Sequence, residues 1–396
     1  MATSRLPQRS SGKLPFANLC SLWRRGKTEE NLPAWKKLYP RFQLEELLKA
    51  TNNFDPALKV GEDSWDTVYE GYINDSYKYP VRIKRFKRHL DHQIFLTEMD
   101  LLSNLHHPNI VSLIGYCLDG SDRIIVPKHM AQGTLHDHLH GKIYYEPPLS
   151  WKRRLEICIG VARGLERLHT GNPLIIHRDI KSRNILLDQN WVANISNFQI
   201  SKLVPSSLLE SDSHVSTTVG GTLGYLDPEY AFSGHLSVKS DVYSFGVVLF
   251  EVLCGRTLLD VHRDEEEIEL ITWGRRGVED GKLGQIIDPR LKGEIAPECL
   301  KAYAYLAYNC TNERGNERPG MSAVLKRLQL VLLLQECIEA DIPYSPSWLT
   351  SLVPPPKSSE PLVDMDASEY LHLIPIMTSS RLKSIIDCLK WVRFKQ

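Results

Sequence analysis

The sequence lacks an apolar run long enough to cross a membrane. Its longest, LQLVLLLQ at residues 328–335, is far shorter than the roughly 18 apolar residues that a spanning helix needs. The first twenty residues contain no apolar signal core, and Ala2 stands where N-myristoylation requires glycine. We therefore expect a soluble protein of the cytoplasm.

The chain also lacks net charge and clustered cysteines. Its 48 Lys and Arg residues balance 48 Asp and Glu residues, so no whole-protein field recruits nucleic acid. The eight cysteines are scattered, without the close pairs that build zinc sites or disulfide scaffolds, which predicts free thiols in a reducing compartment. A length of 396 residues with 42% hydrophobic content is sufficient for two packed lobes.

The two ends of the chain differ from its middle. Residues 1–40 are predicted to be a basic flexible tail, because residues 1–28 hold six Lys or Arg and no acid. Residues 340–396 are predicted to be a linker followed by a basic segment with apolar residues at helical spacing. That segment fits a helix on the plasma membrane surface or on a partner, a helix docked on its own domain, or a loose tail.

Between the tails, strand-like segments precede helical ones. The pattern predicts a short helix at the start, then a mostly helical region from residue 149 onward. The order indicates an α+β fold, with a small β-sheet lobe over 41–130 and a larger helical lobe over 131–339. The individual predictions for the first lobe are strands at 66–73, 79–86, 111–119 and 123–127, with one helix among them at 92–105.

The segment HRDIKSRN, residues 177–184, matches the catalytic-loop pattern H-R-D-x-x-x-x-N. In that pattern Asp179 accepts a hydroxyl proton and Asn184 holds a metal ion, while Lys181 neutralises the transferring phosphoryl group. Upstream, VRIK supplies Lys84, and Glu98 follows fourteen residues later in the predicted helix. This spacing is typical of a strand lysine that pairs with a helix carboxylate.

Two further segments lie in the expected order. GTLGYLDPEY, residues 221–230, takes the place of a substrate-loop anchor, and SDVYSFG, residues 240–246, that of a buried central helix. Arg318 is placed to pair with Glu229. The agreement of several ordered signatures makes coincidence negligible.

These segments resemble the protein kinase family, and within it the plant receptor-like kinases of the malectin-type, Feronia-like branch. Five segments carry the sequence similarity to this branch: FQLEELLKATNNF, LHHPNIVSLIGYC, LSWKRRLEICIGVARGL, IIHRDIKSRNILLD and KSDVYSFGVVLFEVLCGR. The resemblance covers roughly residues 42–338. It implies a bilobal kinase fold and, through Lys181, specificity for Ser and Thr.

The resemblance also implies a site for ATP and magnesium, and protein partners such as other kinases or receptors. Asp179 and Lys181 would be catalytic, and Asn184 and Asn197 would hold the metal. The nucleotide would contact Gly61, Val68, Lys84, Glu98, Met130, Asn184 and Leu186.

The metal-binding end departs from the family pattern. Where kinases read D-F-G, this chain reads Asn197-Phe198-Gln199. An amide oxygen can ligate a hard cation, but it brings no negative charge, and Mg²⁺ is normally held by carboxylates. Gln199 replaces a glycine, which predicts restricted flipping of the segment.

The phosphate-binding loop departs as well. The pattern G-x-G-x-x-G lets bare backbone approach phosphates, but here Gly61 is followed by Asp63 and Asp66 at the other two glycine positions. A carboxylate about 5 Å from one phosphate charge costs on the order of 3 kcal/mol at an effective dielectric constant near 20. Both aspartates therefore oppose a tightly held triphosphate.

The adenine end is altered too. Arg82 stands where kinases usually place a small alanine above the purine, so it is a candidate to fill the pocket. Pro127, at the junction between strand and hinge, removes a backbone donor. Together the departures predict weak or absent ATP binding and weak magnesium binding.

We therefore favour a pseudokinase, acting as a regulator of an active kinase or as an adaptor or decoy for an immune receptor. The alternative is a working Ser/Thr kinase, because Lys84, Glu98 and Asp179 survive; a nucleotide-binding switch without transfer is weaker. The structural reading is favoured for both groups: Asp179 would be retained because its loop is tied to the helix at Asp241, and Lys84 and Glu98 as a plain ion pair that holds the helix in place. Serines and threonines of residues 211–218 fit either phosphorylation and pairing with Arg178, or a solvated loop.

Overall fold

The computed structural model describes residues 33, 35–73, 79–89, 92–141, 147–204 and 214–340. Several predictions fall outside these residues, among them the basic segment at 1–28, the serines at 211 and 213, and the linker and amphipathic segment after 340. None of the helices in the described ranges combines the length and apolar composition needed to cross a membrane.

The first lobe is an antiparallel sheet with one long helix. Across the sheet the strands lie in the order β1 (Lys59–Glu62), β2 (Asp66–Ile73), β3 (Tyr79–Phe86), β5 (Asp122–Pro127) and β4 (Leu113–Asp119), with antiparallel pairing throughout. The two strands predicted at 66–73 and 79–86 are confirmed at both ends. The elements are α1 (Trp35–Leu38), α2 (Leu44–Ala50), β1 (Lys59–Glu62), β2 (Asp66–Ile73), β3 (Tyr79–Phe86), α3 (His92–Asn104), β4 (Leu113–Asp119) and β5 (Asp122–Pro127).

The end of the predicted flexible tail is part of this lobe. Trp35 is buried, packs edge-on against Tyr116 at 4.8 Å between ring centroids, and donates from Nε1 to Asp100. Residues 35–40 are therefore ordered, contrary to the prediction for 1–40. The prediction from composition was wrong for these residues because a single tryptophan packs the segment against the lobe, without a periodic pattern of apolar residues.

The second lobe is mainly helical and contains most of the hydrophobic core. Helix α7 (Val238–Cys254) is buried along almost its whole length, as predicted for the central helix. The elements are α4 (Leu135–His140), α5 (Trp151–Thr170), β6 (Leu174–Ile176), β7 (Ile185–Leu187), β8 (Ala193–Ile195), β9 (Lys202–Val204), β10 (Val215–Ser216), α6 (Pro228–Ser233), β11 (His235–Leu236), α7 (Val238–Cys254), α8 (Leu270–Glu279), α9 (Leu283–Ile286), α10 (Pro297–Cys310) and α11 (Met321–Glu339).

The predicted pair of Arg318 with Glu229 is wrong. Arg318 lies buried and donates from Nη2 to Asp227 at 2.8 Å, while its other nitrogens donate to carbonyl oxygens. The Glu229 carboxylate instead accepts from the Gly315 backbone N–H at 2.6 Å. Asp227 takes the arginine because it caps α6 from a buried position two residues earlier.

A buried ion pair joins α5 to the loop after α9. Arg154 is fully buried and donates from Nη2 to Asp288 at 2.7 Å, from Nε to Leu149 O and from Nη1 to Val252 O. Removing one partner of such a pair leaves an uncompensated charge in the interior, which costs about 3–5 kcal/mol.

We predict that Asp288→Asn lowers the free energy of unfolding by roughly 3–5 kcal/mol, because Arg154 then has no counter-charge. Urea denaturation followed by circular dichroism measures this. The control is Glu336→Gln, which breaks the half-exposed pair with Lys152 on the same helix and should cost no more than about 1 kcal/mol. Equal losses in the two variants would contradict the prediction.

Candidate functional site

Lys84 is the centre of a buried polar cluster between the lobes. Its side chain extends from β3, where residues 82 and 84 face the cleft. The ammonium donates to both carboxylate oxygens of Glu98 on α3, at 2.7 and 3.0 Å, and to Asn197 Oδ1 at 2.6 Å. The sequence-predicted pair of strand lysine and helix carboxylate is thus present.

Asp66 supplies a further contact to the same ammonium. It begins β2, is 3% exposed, and places Oδ2 3.3 Å from Lys84 Nζ. Burial raises the pKa of Asp66 to about 6, although the lysine partly opposes this. For Lys84, burial alone would lower the pKa, but the carboxylates of Asp66 and Glu98 outweigh it and raise the pKa above its ordinary value.

The loop between β1 and β2 is stabilised by hydrogen bonds to the side chain of one of its own residues, Asp63. Asp63 Oδ1 accepts from the backbone N–H groups of Trp65 and Asp66, at 2.7 and 3.0 Å. These are the local bonds by which aspartate stabilises turns. In a loop that binds phosphate, backbone N–H groups are the donors that a phosphate would use. Asp63 therefore occupies two of those donors.

Within the N-F-Q segment, Asn197 is the residue with an unusual backbone conformation. Asn197 adopts φ of 75°, in the left-handed region that asparagine tolerates better than most residues. Gln199 is buried, and its Nε2 lies 3.5 Å from Asp63 Oδ2. The side chain that replaces glycine thus reaches the phosphate loop, and the residue that needs backbone freedom is Asn197.

Of the two predicted metal ligands, Asn197 does not fit a divalent cation. Asn197 Oδ1, the atom that would ligate it, faces the Lys84 ammonium at 2.6 Å. Asn184 donates from Nδ2 to both O and Oδ2 of Asp179, at 2.7 and 2.8 Å. Turning the Asn197 amide would only direct its N–H groups at the ammonium. The carboxylate that Mg²⁺ prefers is missing from position 197.

The catalytic loop is assembled in full around Asp179. Lys181 Nζ lies 2.9 Å from Asp179 Oδ2, and Thr222 donates to Oδ1 at 2.6 Å. Lys181 also donates to Thr222 Oγ1 at 2.8 Å. Both oxygens of the carboxylate are therefore held, by residues from the catalytic loop and from the GTLGYLDPEY segment. Thr222 was not singled out in the sequence, because nothing in its local pattern marks it.

The loop is fixed from below, as expected, by Asp241 of α7. Its two carboxylate oxygens accept from the backbone N–H groups of His177 and Arg178, each at 2.8 Å. His177 packs edge-on against Phe198 at 4.8 Å and bonds Ser196 O through Nε2. Burial lowers the pKa of His177, so the ring is neutral at pH 7. This agrees with a packing role for the histidine.

The adenine end of the cleft holds the Arg82 side chain. The guanidinium reaches across to Met130 in the segment after β5, with Nη2 3.5 Å from the carbonyl oxygen, and Nε is buried. Met130 O also accepts from Gly133 N–H at 3.2 Å. The cleft is lined in addition by Gly61, Val68, Pro127, Asn184 and Leu186.

Residues 56–328 match the family described as protein tyrosine and serine/threonine kinase. This chain belongs to the protein kinase family. It is 46% identical over 308 residues to receptor-like protein kinase ANXUR2 of Arabidopsis thaliana, covering 78% of this chain and 35% of that protein. It is 46% identical over 317 residues to FERONIA of the same plant, covering 79% and 34%.

The kinase family assignment and the α+β kinase fold predicted from sequence are thereby confirmed, as is the likeness to plant receptor-like kinases. A third relative, THESEUS 1 of Arabidopsis thaliana, is 45% identical over 300 residues. The chain spans about a third of the length of these curated relatives.

We predict that the Asp66 carboxylate makes stability depend on pH in an identifiable direction. Its pKa is about 6 in the fold and roughly 3.9 when unfolded, so it favours folding below pH 4 and this contribution is lost as pH rises through about 6. Relative to the wild type, Asp66→Asn should therefore gain roughly 2–3 kcal/mol of unfolding free energy between pH 4 and 7.

Urea unfolding of both proteins at a series of pH values measures this difference. The control is Asp122→Asn, since burial, which raises the pKa of Asp122, is outweighed by hydrogen bonds from Arg88 and Arg85 that lower it. That variant should not gain stability over the same range. Parallel curves for wild type and Asp66→Asn would contradict the assignment.

Proposed function

We propose that this protein is a pseudokinase: a kinase-shaped signalling module whose nucleotide cleft is held by its own side chains. The observation that carries the proposal is the environment of Lys84. Its ammonium, which in an active kinase contacts the nucleotide phosphates while paired with the helix glutamate, here donates in addition to Asn197 and lies 3.3 Å from the Asp66 carboxylate.

Charge argues against phosphoryl transfer at this site. A triphosphate would need to enter beside Asp63 and Asp66 without a metal-binding carboxylate at position 197. Losing one preorganised electrostatic contact commonly costs 10² to 10³ in turnover. Several such contacts are changed together here, so a poised Asp179 is insufficient.

Shape argues in the same direction. Arg82 spans the adenine end and contacts the Met130 carbonyl, a hydrogen-bonding group that a purine would use. A ligand would have to displace the guanidinium from its 3.5 Å contact with Met130 O. Gly61, Val68 and Leu186 would remain as walls of the cleft beside a hinge carbonyl that is already engaged.

A second candidate, an active Ser/Thr kinase, is favoured by the catalytic loop. Asp179, Lys181 and Thr222 form the closed hydrogen-bonded arrangement that a hydroxyl substrate would meet. Such a kinase would have to hold ATP without the usual carboxylate for Mg²⁺, through Asn184 alone. We place it second because the Asn197 oxygen is already bonded to Lys84.

The proposed role is regulation through contact with another protein. A pseudokinase keeps the surfaces by which kinases meet one another, so an active kinase or a receptor is the proposed class of partner, with immune signalling as one setting. Cytoplasmic placement, with contact to the plasma membrane through the basic ends of the chain, is part of the same proposal.

We predict that the double variant Asp66→Gly/Arg82→Ala gains nucleotide binding, since it removes the carboxylate beside Lys84 and the side chain across the adenine end. In a thermal-shift titration with ATP, with and without Mg²⁺ or Mn²⁺, the wild type should not respond. The variant at 100 times its Kd should gain about 2.7 kcal/mol, a rise of roughly 5–10 °C in Tm.

The matched control is Arg85→Ala. Arg85 lies on the same strand but pairs with Asp122 on the other face of the sheet, so this variant should behave like the wild type. A saturable ATP response in the wild type equal to that of the double variant would show that neither side chain obstructs the cleft.

We predict that the wild type incorporates no more phosphate from ATP into itself or into a general protein substrate than Asp179→Asn does. The physical reason is the missing cation site at Asn197. Radiolabelled ATP with Mg²⁺ and with Mn²⁺ supplies the measurement, with an active receptor-like kinase as positive control. Incorporation in the wild type that vanishes in Asp179→Asn would select the active kinase instead.

A further inference from the structure

A second cluster of chemically active side chains lies beneath the catalytic loop, outside the nucleotide cleft. His136 and His140 are four residues apart on α4 and therefore share one face of the helix. Glu251 of α7 faces them, and one ligand atom from each of the three residues lies within 4.8 Å of the others.

The buried carboxylate of Glu251 lacks a fixed positive charge among the groups bonded to it. Its side chain is 1% exposed. Oε1 accepts from Ser182 at 3.0 Å and contacts His140 Nε2 at 3.1 Å, and Oε2 accepts from Tyr225 at 2.7 Å. These donors are hydroxyls and an imidazole. Buried charges in proteins are normally paired or coordinate a metal, so this site favours a cation.

One pair of these ligands already has nearly the spacing of a tetrahedral metal site. Two ligands about 2.1 Å from one zinc ion lie roughly 3.4 Å apart. The contact between His140 Nε2 and Glu251 Oε1, at 3.1 Å, requires only a few tenths of an ångström of movement. The His136 and His140 rings are 4.9 Å apart between centroids, and His136 Nδ1 lies 3.3 Å from Ser182 Oγ. A rotation of the His136 ring that gives up this long contact would direct a nitrogen toward the ion.

The access path also suits a metal. His136 and Glu251 both line a cleft that also contains Lys181, Thr222 and Tyr225. An ion can enter from that cleft, and a water can complete the coordination.

We propose that His136, His140 and Glu251 form a zinc site that joins α4 to α7 beneath the catalytic loop. Two imidazoles and one carboxylate with an open fourth position are a ligand set that Zn²⁺ takes in proteins. Ser182 and Tyr225 keep their bonds to Glu251 and orient it, as outer partners orient metal ligands. The site is independent of nucleotide, so it stands whether or not the protein transfers phosphate.

The test is a calorimetric Zn²⁺ titration of the full chain after metal removal with a chelator. We expect one zinc per chain in the wild type, and at least about tenfold weaker binding in His136→Ala. The matched control is His138→Ala. His138 lies on the same helix but bonds Gln132 O and packs on Trp191, so this variant should bind zinc like the wild type.

Two further measurements test for misfolding of the variant and for zinc binding at cysteines. The Tm of His136→Ala without metal should equal that of the wild type, which excludes misfolding. Co²⁺ in place of Zn²⁺ should give the visible bands of a tetrahedral site without a sulfur-to-metal charge-transfer band, which excludes binding at cysteines. Absence of zinc binding in the wild type, equal binding in His136→Ala, or a thiolate band would each overturn the proposal.

Discussion

The arrangement of the whole cleft depends on one buried ammonium, that of Lys84. A lysine 7% exposed must be paired, and here the partners come from three separate segments: Asp66 at the start of β2, Glu98 on α3 and Asn197 before Phe198. The lysine thereby ties the sheet, the long helix of the first lobe and the second lobe together. In this chain the same charge that would attract a nucleotide serves as an internal cross-link.

The sequence was sufficient to predict features that are marked by particular residue types at a characteristic spacing. The strand ends at residues 66 and 86, the pair of Lys84 with Glu98, and the anchoring of the catalytic loop by Asp241 all followed from patterns that the structure contains. The position of the Arg82 side chain did not, since a spacing shows which residue faces a cleft and not which rotamer it takes. The structure directs it across to Met130.

What the sequence could not predict are contacts between residues far apart in the chain with no shared motif. Thr222 bonds Asp179, and Gln199 approaches Asp63, over separations of 43 and 136 residues. The wrong pairing of Arg318 has the same origin: Asp227 and Glu229 lie two residues apart, and only the path of the buried chain decides which of them meets the guanidinium. His136 and His140 could not be recognised as part of a cluster from the sequence, because Glu251 lies opposite them only in the folded chain, where α7 places it.

The contacts of Arg178 bear on whether a phosphoryl group in the segment after the N-F-Q residues could recruit this arginine. Its terminal nitrogens already donate to Ile200 O, Thr218 O and the Tyr230 hydroxyl, at 3.0, 2.6 and 2.6 Å. A phosphoryl group added nearby would have to compete with these three acceptors before it could recruit the guanidinium. The contacts of Arg178 around the buried Tyr230 hydroxyl are therefore made without a phosphoryl group.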